Sequence, residues 1–295
     1  TLRREEWQQL DDVIIPIAES RLNGIQDLVS RGLTYNLGNA MGTTVLEWED
    51  LSDAMEAVMS MDGVTRGQGD RPEFSSKYLP IPIIHADYEI NARALAASRN
   101  SGNPLDTTSV ERATRKVADF LERMLFVTAA YSFGGGTIYS YTNYTNRNIV
   151  TLASKWTNSA MTGKKIIEDV LSLKAESISA YHYGPWMLYI PTAYETLLDE
   201  DYSDSKGSNT IRERIKQIAG IIDVKVVDSL TADNVLLVQM TSDVVRLVRG
   251  MGIQNVQWET EGKFVTKYKV LTIQVPQIRA DQEGHCGIVH ATFTS

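Results

Sequence analysis

Residues 78–126, YLPIPIIHADYEINARALAASRNSGNPLDTTSVERATRKVADFLERMLF, decide the fold. They read as an extended strand, a short helix, a polar turn and one long amphipathic helix. In the strand, Ile84, Ala86, Tyr88 and Ile90 alternate with His85, Asp87 and Glu89, so one face is apolar and the other wet. Pro80 and Pro82 cannot donate to a ladder, which puts the start of the strand at an edge or a crossover. After the turn, Thr108 and Glu111 have the spacing of a capping box. Val110, Ala113, Val117, Phe120, Leu121, Met124 and Leu125 then fall on one helical face, while Arg115, Asp119 and Arg123 are spaced for ion pairs on the wet side. A helix of about 20 residues spans roughly 30 Å. It is long enough to be the spine of a domain.

Towards the N-terminus, residues 4–31 carry Leu10, Ile14, Ile17, Ala18, Leu22, Ile25, Leu28 and Val29 at helical spacing. Pro16 kinks that helix or begins a second one, and Gly32 is a stop. The periodicity serves a helix packed on its own domain and a helical arm on a neighbour equally well. Between Thr43 and Lys77, TTVLEWE suits a strand and Phe74 to Leu79 a return, with a long stretch between them that has little core-forming periodicity. A connection this long usually has a function of its own. Its charge is segregated: Glu47, Glu49, Asp50, Asp53, Glu56 and Asp62 come first, and Arg66, Arg71 and Lys77 follow. With Trp48, Met55, Met59 and Met61 as apolar anchors, such a segment can lie across a partner, its charges setting the register. The alternative is a surface loop.

Towards the C-terminus, the glycine-rich SFGGGTIYSYTN leads into alternating helices and strands. A helix near 160–173, a strand at 186–190, a second Thr-x-x-Glu cap at Thr210 and Glu213, and strands at 224–227 and 235–240 compose an α/β unit of about a hundred residues. The last 40 residues read as long strands with no helix of their own, to be covered by the helix at 108–126 or by other chains.

The 295 residues suffice for about two domains, and the apolar (43%) and charged (22%) fractions are those of an ordinary globular protein. No run of 18 apolar residues spans a bilayer. The first residues lack the layout of a signal peptide and the single Cys286 forms no internal disulfide, so synthesis in the cytoplasm is the expectation. A net charge of -8 disfavours binding nucleic acid over the whole surface, although a container needs no such affinity.

Signals for catalysis are weak. Gly134, Gly135 and Gly136 form a corner rather than a phosphate cradle, and Thr162-Gly163-Lys164-Lys165 lacks the upstream glycine of a P-loop and reads as a helix start. His85, His182, His285 and His290 have no paired-ligand spacing, and His285 and Cys286, if in a strand, point to opposite faces. The acidic run Asp199, Glu200, Asp201 and Asp204 reads as a solvated loop tip. No catalytic residue, cofactor or metal site is expected.

The order of segments resembles the Hong Kong 97-like fold of tailed-phage major capsid proteins, in the branch shared with encapsulins. The resemblance rests on LPIPIIHADYEINARAL (79–95) with the helix to Phe126, supported by IYSYTN (138–143), LYIPTAY (188–194), TIRERI (210–215) and IQVPQIRADQEGHCGIVH (273–290). It implies an α+β chain with an N-terminal helical arm (1–42), an extended E-loop (43–77), a peripheral P-domain (78–150 and 252–295) around the spine helix, and an axial A-domain (151–251). Trp48, Met55, Met59, Met61, Arg66 and Arg71 on the loop, and Asp201 and Asp204 near the axes, are then the candidate contacts between subunits. The outer loop has no lysine for a cross-link, so the shell implied is noncovalent.

The function implied is a non-enzymatic major capsid protein of the virion. It assembles with itself into pentamers and hexamers of an icosahedral shell around double-stranded DNA, with portal, scaffold or decoration proteins as further partners and no membrane contact. The alternative is an encapsulin nanocompartment around a cargo enzyme.

Overall fold

The computed structural model describes residues 5–8, 10, 12, 23–51, 59, 61, 74–101, 107–127, 130–203, 209–262 and 264–293. Pro16 and the middle of the first predicted helix, residues 13–22, lie outside these residues. Residues 5–8, 10 and 12 are helical, and helix α1 (Asn23–Ser30) is the first whose bounds are complete among the described residues. Gly32 ends it as expected: its φ of 70° lets the Gly32 N–H reach the Val29 carbonyl and the Leu33 N–H reach that of Leu28. β1 (Thr34–Asn36) follows, then the ribbon strands β2 (Val45–Leu51) and β3 (Phe74–Pro80), and β4 (Ile84–Asn91).

Pro80 and Pro82 therefore do more than mark an edge. They end one strand and precede another, so the single extended strand expected from Tyr78 is two. β4 alternates as its sequence requires and sits at the edge of a sheet.

α2 (Ala92–Ser101) leads to the spine helix α3 (Thr108–Phe126). The expected cap is displaced by one residue. Thr107 is the N-cap, with no side-chain capping bond, and its hydroxyl instead donates to Glu111 Oε1 (3.1 Å). The buried arc is also rotated from the expected face. Val110, Ala113, Val117, Leu121, Met124 and Leu125 are buried, but so are Thr114, Ala118 and Glu122, and Phe120 is 46% exposed. α1 docks on that flank, and this moves the arc towards Glu122.

The glycine corner is a hairpin of β5 (Tyr131–Phe133) and β6 (Gly136–Ile138), with Gly134 and Gly135 both at positive φ as a two-residue turn demands. β7 (Asn148–Leu152) precedes α4 (Gly163–Ser179), which Thr162 caps. β8 (Trp186–Pro191) follows, then a short turn of helix after Pro191, α5 (Glu195–Leu198) and α6 (Ile211–Lys216). The expected capping box of α6 has both its bonds, Glu213 N–H to Thr210 Oγ1 and Thr210 N–H to Glu213 Oε2. The chain closes with β9 (Ile221–Val227), β10 (Val235–Gln239), the long β11 (Val245–Glu261) and β12 (Val265–Ile278), and β13 (Ile288–Phe293).

Two sheets carry the architecture. One has the order β1-β11-β12-β4, with α3 laid across β12 and β4. The other has the order β7-β13-β10-β8-β9. Its strands β8 and β10 are buried at every residue, which is why WMLYI (186–190) and VLLV (235–238) are continuous apolar runs rather than alternating ones. On one face Met187, Tyr189, Leu236 and Val238 join the spine core, and on the other Leu188, Ile190, Val235 and Leu237 meet α4 and α6. Residue 252 falls within β11, and the final strand β13 belongs to the second sheet, so the chain returns there after leaving it.

Candidate assembly surface

β2 and β3 pair from Val45–Pro80 out to Leu51–Phe74. Seven residues at about 3.3 Å each make an arm of roughly 20 Å. Its faces are unequal because the side-chain period is two. Leu46 and Trp48 pack on the chain's own core at the root, whereas Glu47 and Glu49 are exposed. The root is seated against the β5–β6 hairpin so closely that a Cβ on Gly136 would stand 2.2 Å from the Tyr78 carbonyl oxygen. Among the described residues β2 pairs with β3 alone, which leaves a ladder edge open. A two-stranded ribbon is marginal by itself and its open edge is a template for pairing.

The expected contact residues divide accordingly. Trp48 lies at the root, half-buried on its own core, with its indole Nε1 buried and unpartnered among the described residues. Met59 and Met61 are fully exposed. Met55, Arg66, Arg71 and Asp204 lie outside the described residues. Asp201 is exposed at the base of its loop, bridged to Thr210, and the neighbouring Asp199 pairs with Arg212 Nε at 2.7 Å. The four placed residues do not gather at one point. They occupy two projections, the ribbon and the loop before α6.

A third feature was not legible from spacing. Between the start of β4, the outer side of α3 and the β5–β6 hairpin runs a groove of about 1310 Å³. Ile83 (48% exposed), Phe120 and Tyr131 (51%) supply its apolar lining, with Lys116, Arg123 and Asp228 as charged groups. Phe120, misassigned to the core by periodicity, is the residue that would have pointed here.

Two of the groups that sequence reading considered for chemistry, Cys286 and His290, are buried and shifted by it. Burial pushes the Cys286 thiol up to about 12, far from thiolate at neutral pH. His285 lies in a loop rather than a strand, pointing outward to Asp281 Oδ2 at 2.8 Å while Cys286 points inward, so the two still do not converge. His290 is buried between Arg147 Nε (3.3 Å) and Asn234 Oδ1 (2.7 Å), and burial with the Arg147 charge lowers it to about 4. Among the described residues no three His, Cys, Asp or Glu side chains are placed to hold a metal, and no helix is long and apolar enough to cross a membrane.

A spine helix under a long-stranded sheet, a second sheet with its own helices, and a ribbon leaving the body between them compose the Hong Kong 97-like capsid-protein fold. Two of the solved structures that share it illustrate the likeness. The virus-like particle from Pyrococcus furiosus superposes with a TM-score of 0.69 at 16% identity over 97% of this chain and 98% of that one. The capsid of Myoviridae phage XM1 gives 0.68 at 9% identity over 88% and 89%. The chain belongs to the DUF6260 family, a family of unknown function, whose model matches residues 1–291. A curated relative, the type 1 encapsulin shell protein EncA of Myxococcus xanthus (strain DK1622), is 22% identical over 237 residues, 79% of this chain and 71% of the relative.

Proposed function

We propose that the chain is a structural shell protein that assembles with itself into a closed icosahedral container. The observation that carries the reading is the β2–β3 ribbon, whose strands pair only with each other among the described residues and which has two fully exposed methionines beyond it; we read it as an E-loop. On this reading residues 43–77 reach over a neighbour. The four-stranded sheet with α3 is the peripheral domain, and the five-stranded sheet with α4 and α6 is the axial one, to which β13 returns. Met59 and Met61 are contacts on the neighbour, and Asp201 and Asp204 lie near the fivefold and local sixfold axes. Each interface of this kind buries on the order of 1,600 Å² and is modest alone. A closed shell holds every subunit at several of them together.

For the contents we favour viral double-stranded DNA, which makes the chain a major capsid protein of the virion. The net charge of -8 suits a wall that encloses DNA without clamping it. The second reading is an encapsulin nanocompartment. It is favoured by the groove along α3, which has the size and apolar lining to take an extended cargo peptide, and by the identity with an encapsulin shell protein. Expression of the chain followed by electron microscopy and analysis of particle contents separates these. Shells with DNA support the first reading, shells with a co-purified enzyme the second, and a monodisperse monomer contradicts both.

A further inference from the structure

Glu122 joins two helices that are far apart in sequence. Its Oε1 accepts from the Gly24 N–H at 2.8 Å across a separation of 98 residues, and the Ile25 N–H donates to the same carboxyl. Both donors are first-turn amides of α1, which have no partner within their own helix. The contact is close because residue 24 is glycine: a Cβ there would stand 2.5 Å from Phe126 Cε2 and 2.9 Å from Leu125 Cδ2. Such a close-packed joint has few intermediate positions between docked and open. The other oxygen, Oε2, is buried without a partner among the described residues, and Glu122 is only 7% exposed.

The charges around it do not compensate an ionised carboxylate. Asp27 on α1 and Asp119 on α3 both repel it. On the sheet side Tyr141 and Tyr189 are buried phenols held neutral, and Lys225 is spent on Asp27 at 3.7 Å, with Arg31 acting on Asp27 as well. On the groove side His85, Lys116, Arg123 and Asp228 share the cavity that Glu122 lines, and among the described residues none of them pairs with it.

We propose that Glu122 is a pH-operated latch, holding α1 against the spine helix while its carboxyl is neutral and loosening it when the carboxyl ionises. The geometry sets the sign. Burial pushes the docked carboxyl from 4.5 up to about 7, against the smaller opposing effect of the two amides. When α1 lifts, water reaches the carboxyl and its ordinary value returns. Docking is then favoured in full below 4.5, is progressively lost as pH rises to 7, and changes no further above that. The latch belongs to the single chain and does not depend on what any shell contains. Asp27, also raised by burial, adds a response of the same sign and must be separated from it.

Hydrogen exchange by mass spectrometry on the full chain between pH 5 and 8.5, corrected for the intrinsic dependence of amide exchange on pH, reads the opening of Asn23–Ser30. The expected result is an opening equilibrium that rises about a hundredfold from pH 5 to 8, with Gly163–Ser179 unchanged. Glu122→Gln should hold the segment at its low-pH protection throughout, and Asp27→Asn should keep the rise. A flat wild-type profile overturns the proposal even if the Gln variant does not fold. So does a rise that persists in Glu122→Gln or vanishes in Asp27→Asn alone.

Discussion

At the scale of single residues, two buried groups give the chain opposite responses to acid. His290 is neutral in the folded sheet: Arg147 donates to Nδ1, so Nε2 carries the proton that it gives to Asn234. Its folded value of about 4 lies below the ordinary 6.5. The stability it confers is present in full above 6.5 and is lost as pH falls towards 4, by roughly 3 kcal/mol at most. Exchange protection of Val235–Gln239 and Ile288–Phe293 should therefore drop on lowering the pH from 6.5 to 4, the reverse of the slope expected for α1. Protection that stays level over that range would contradict the assignment. Because Glu122 and His290 oppose each other over nearly the same window, a whole-chain melting curve partly cancels them, and local exchange is the informative measurement. Neither group was legible in the sequence. Glu122 falls outside the apolar positions that the spacing of its helix marks, and only the docking of α1 on that flank buries it. His290 is a lone histidine in a strand, whose partners come from 143 and 56 residues away.

At the scale of elements, local chemistry was legible wherever the chain satisfies itself. Gly32 stops α1, Thr210 and Glu213 cap α6, and the β4 alternation survives intact, because each depends on residues within a turn or on a fixed period. Two readings failed for different reasons. Thr108 lost the cap to the adjacent Thr107, and Phe120 was turned out of the core by the distant helix docked on the other flank. The ribbon root offers a direct test of such a neighbour effect. At Gly136 the approaching atom is a backbone oxygen of Tyr78, which cannot swing aside as a side chain end can. Gly136→Ala should cost about 1–3 kcal/mol, read as a Tm lowered by several degrees. An unchanged Tm would mean that the hairpin does not bear on β3 as described.

At the scale of the whole molecule, the division into two sheets and a projecting ribbon followed from the order of segments. The path of the chain between the sheets did not. The strand Ile288–Phe293 looks the same whether it extends the spine sheet or pairs with β10 and β7. Only the burial of both faces in the second sheet decides. Among the described residues the ribbon strands pair only with each other, and the central claim is that a neighbouring subunit covers their outer part. Removal of residues 49–70 tests this most directly. Circular dichroism should show a folded subunit, because both sheets and α3 lie outside the deletion, while electron microscopy of the same preparation should show no shells where the full chain forms them. Normal shells from the deleted chain would contradict the account.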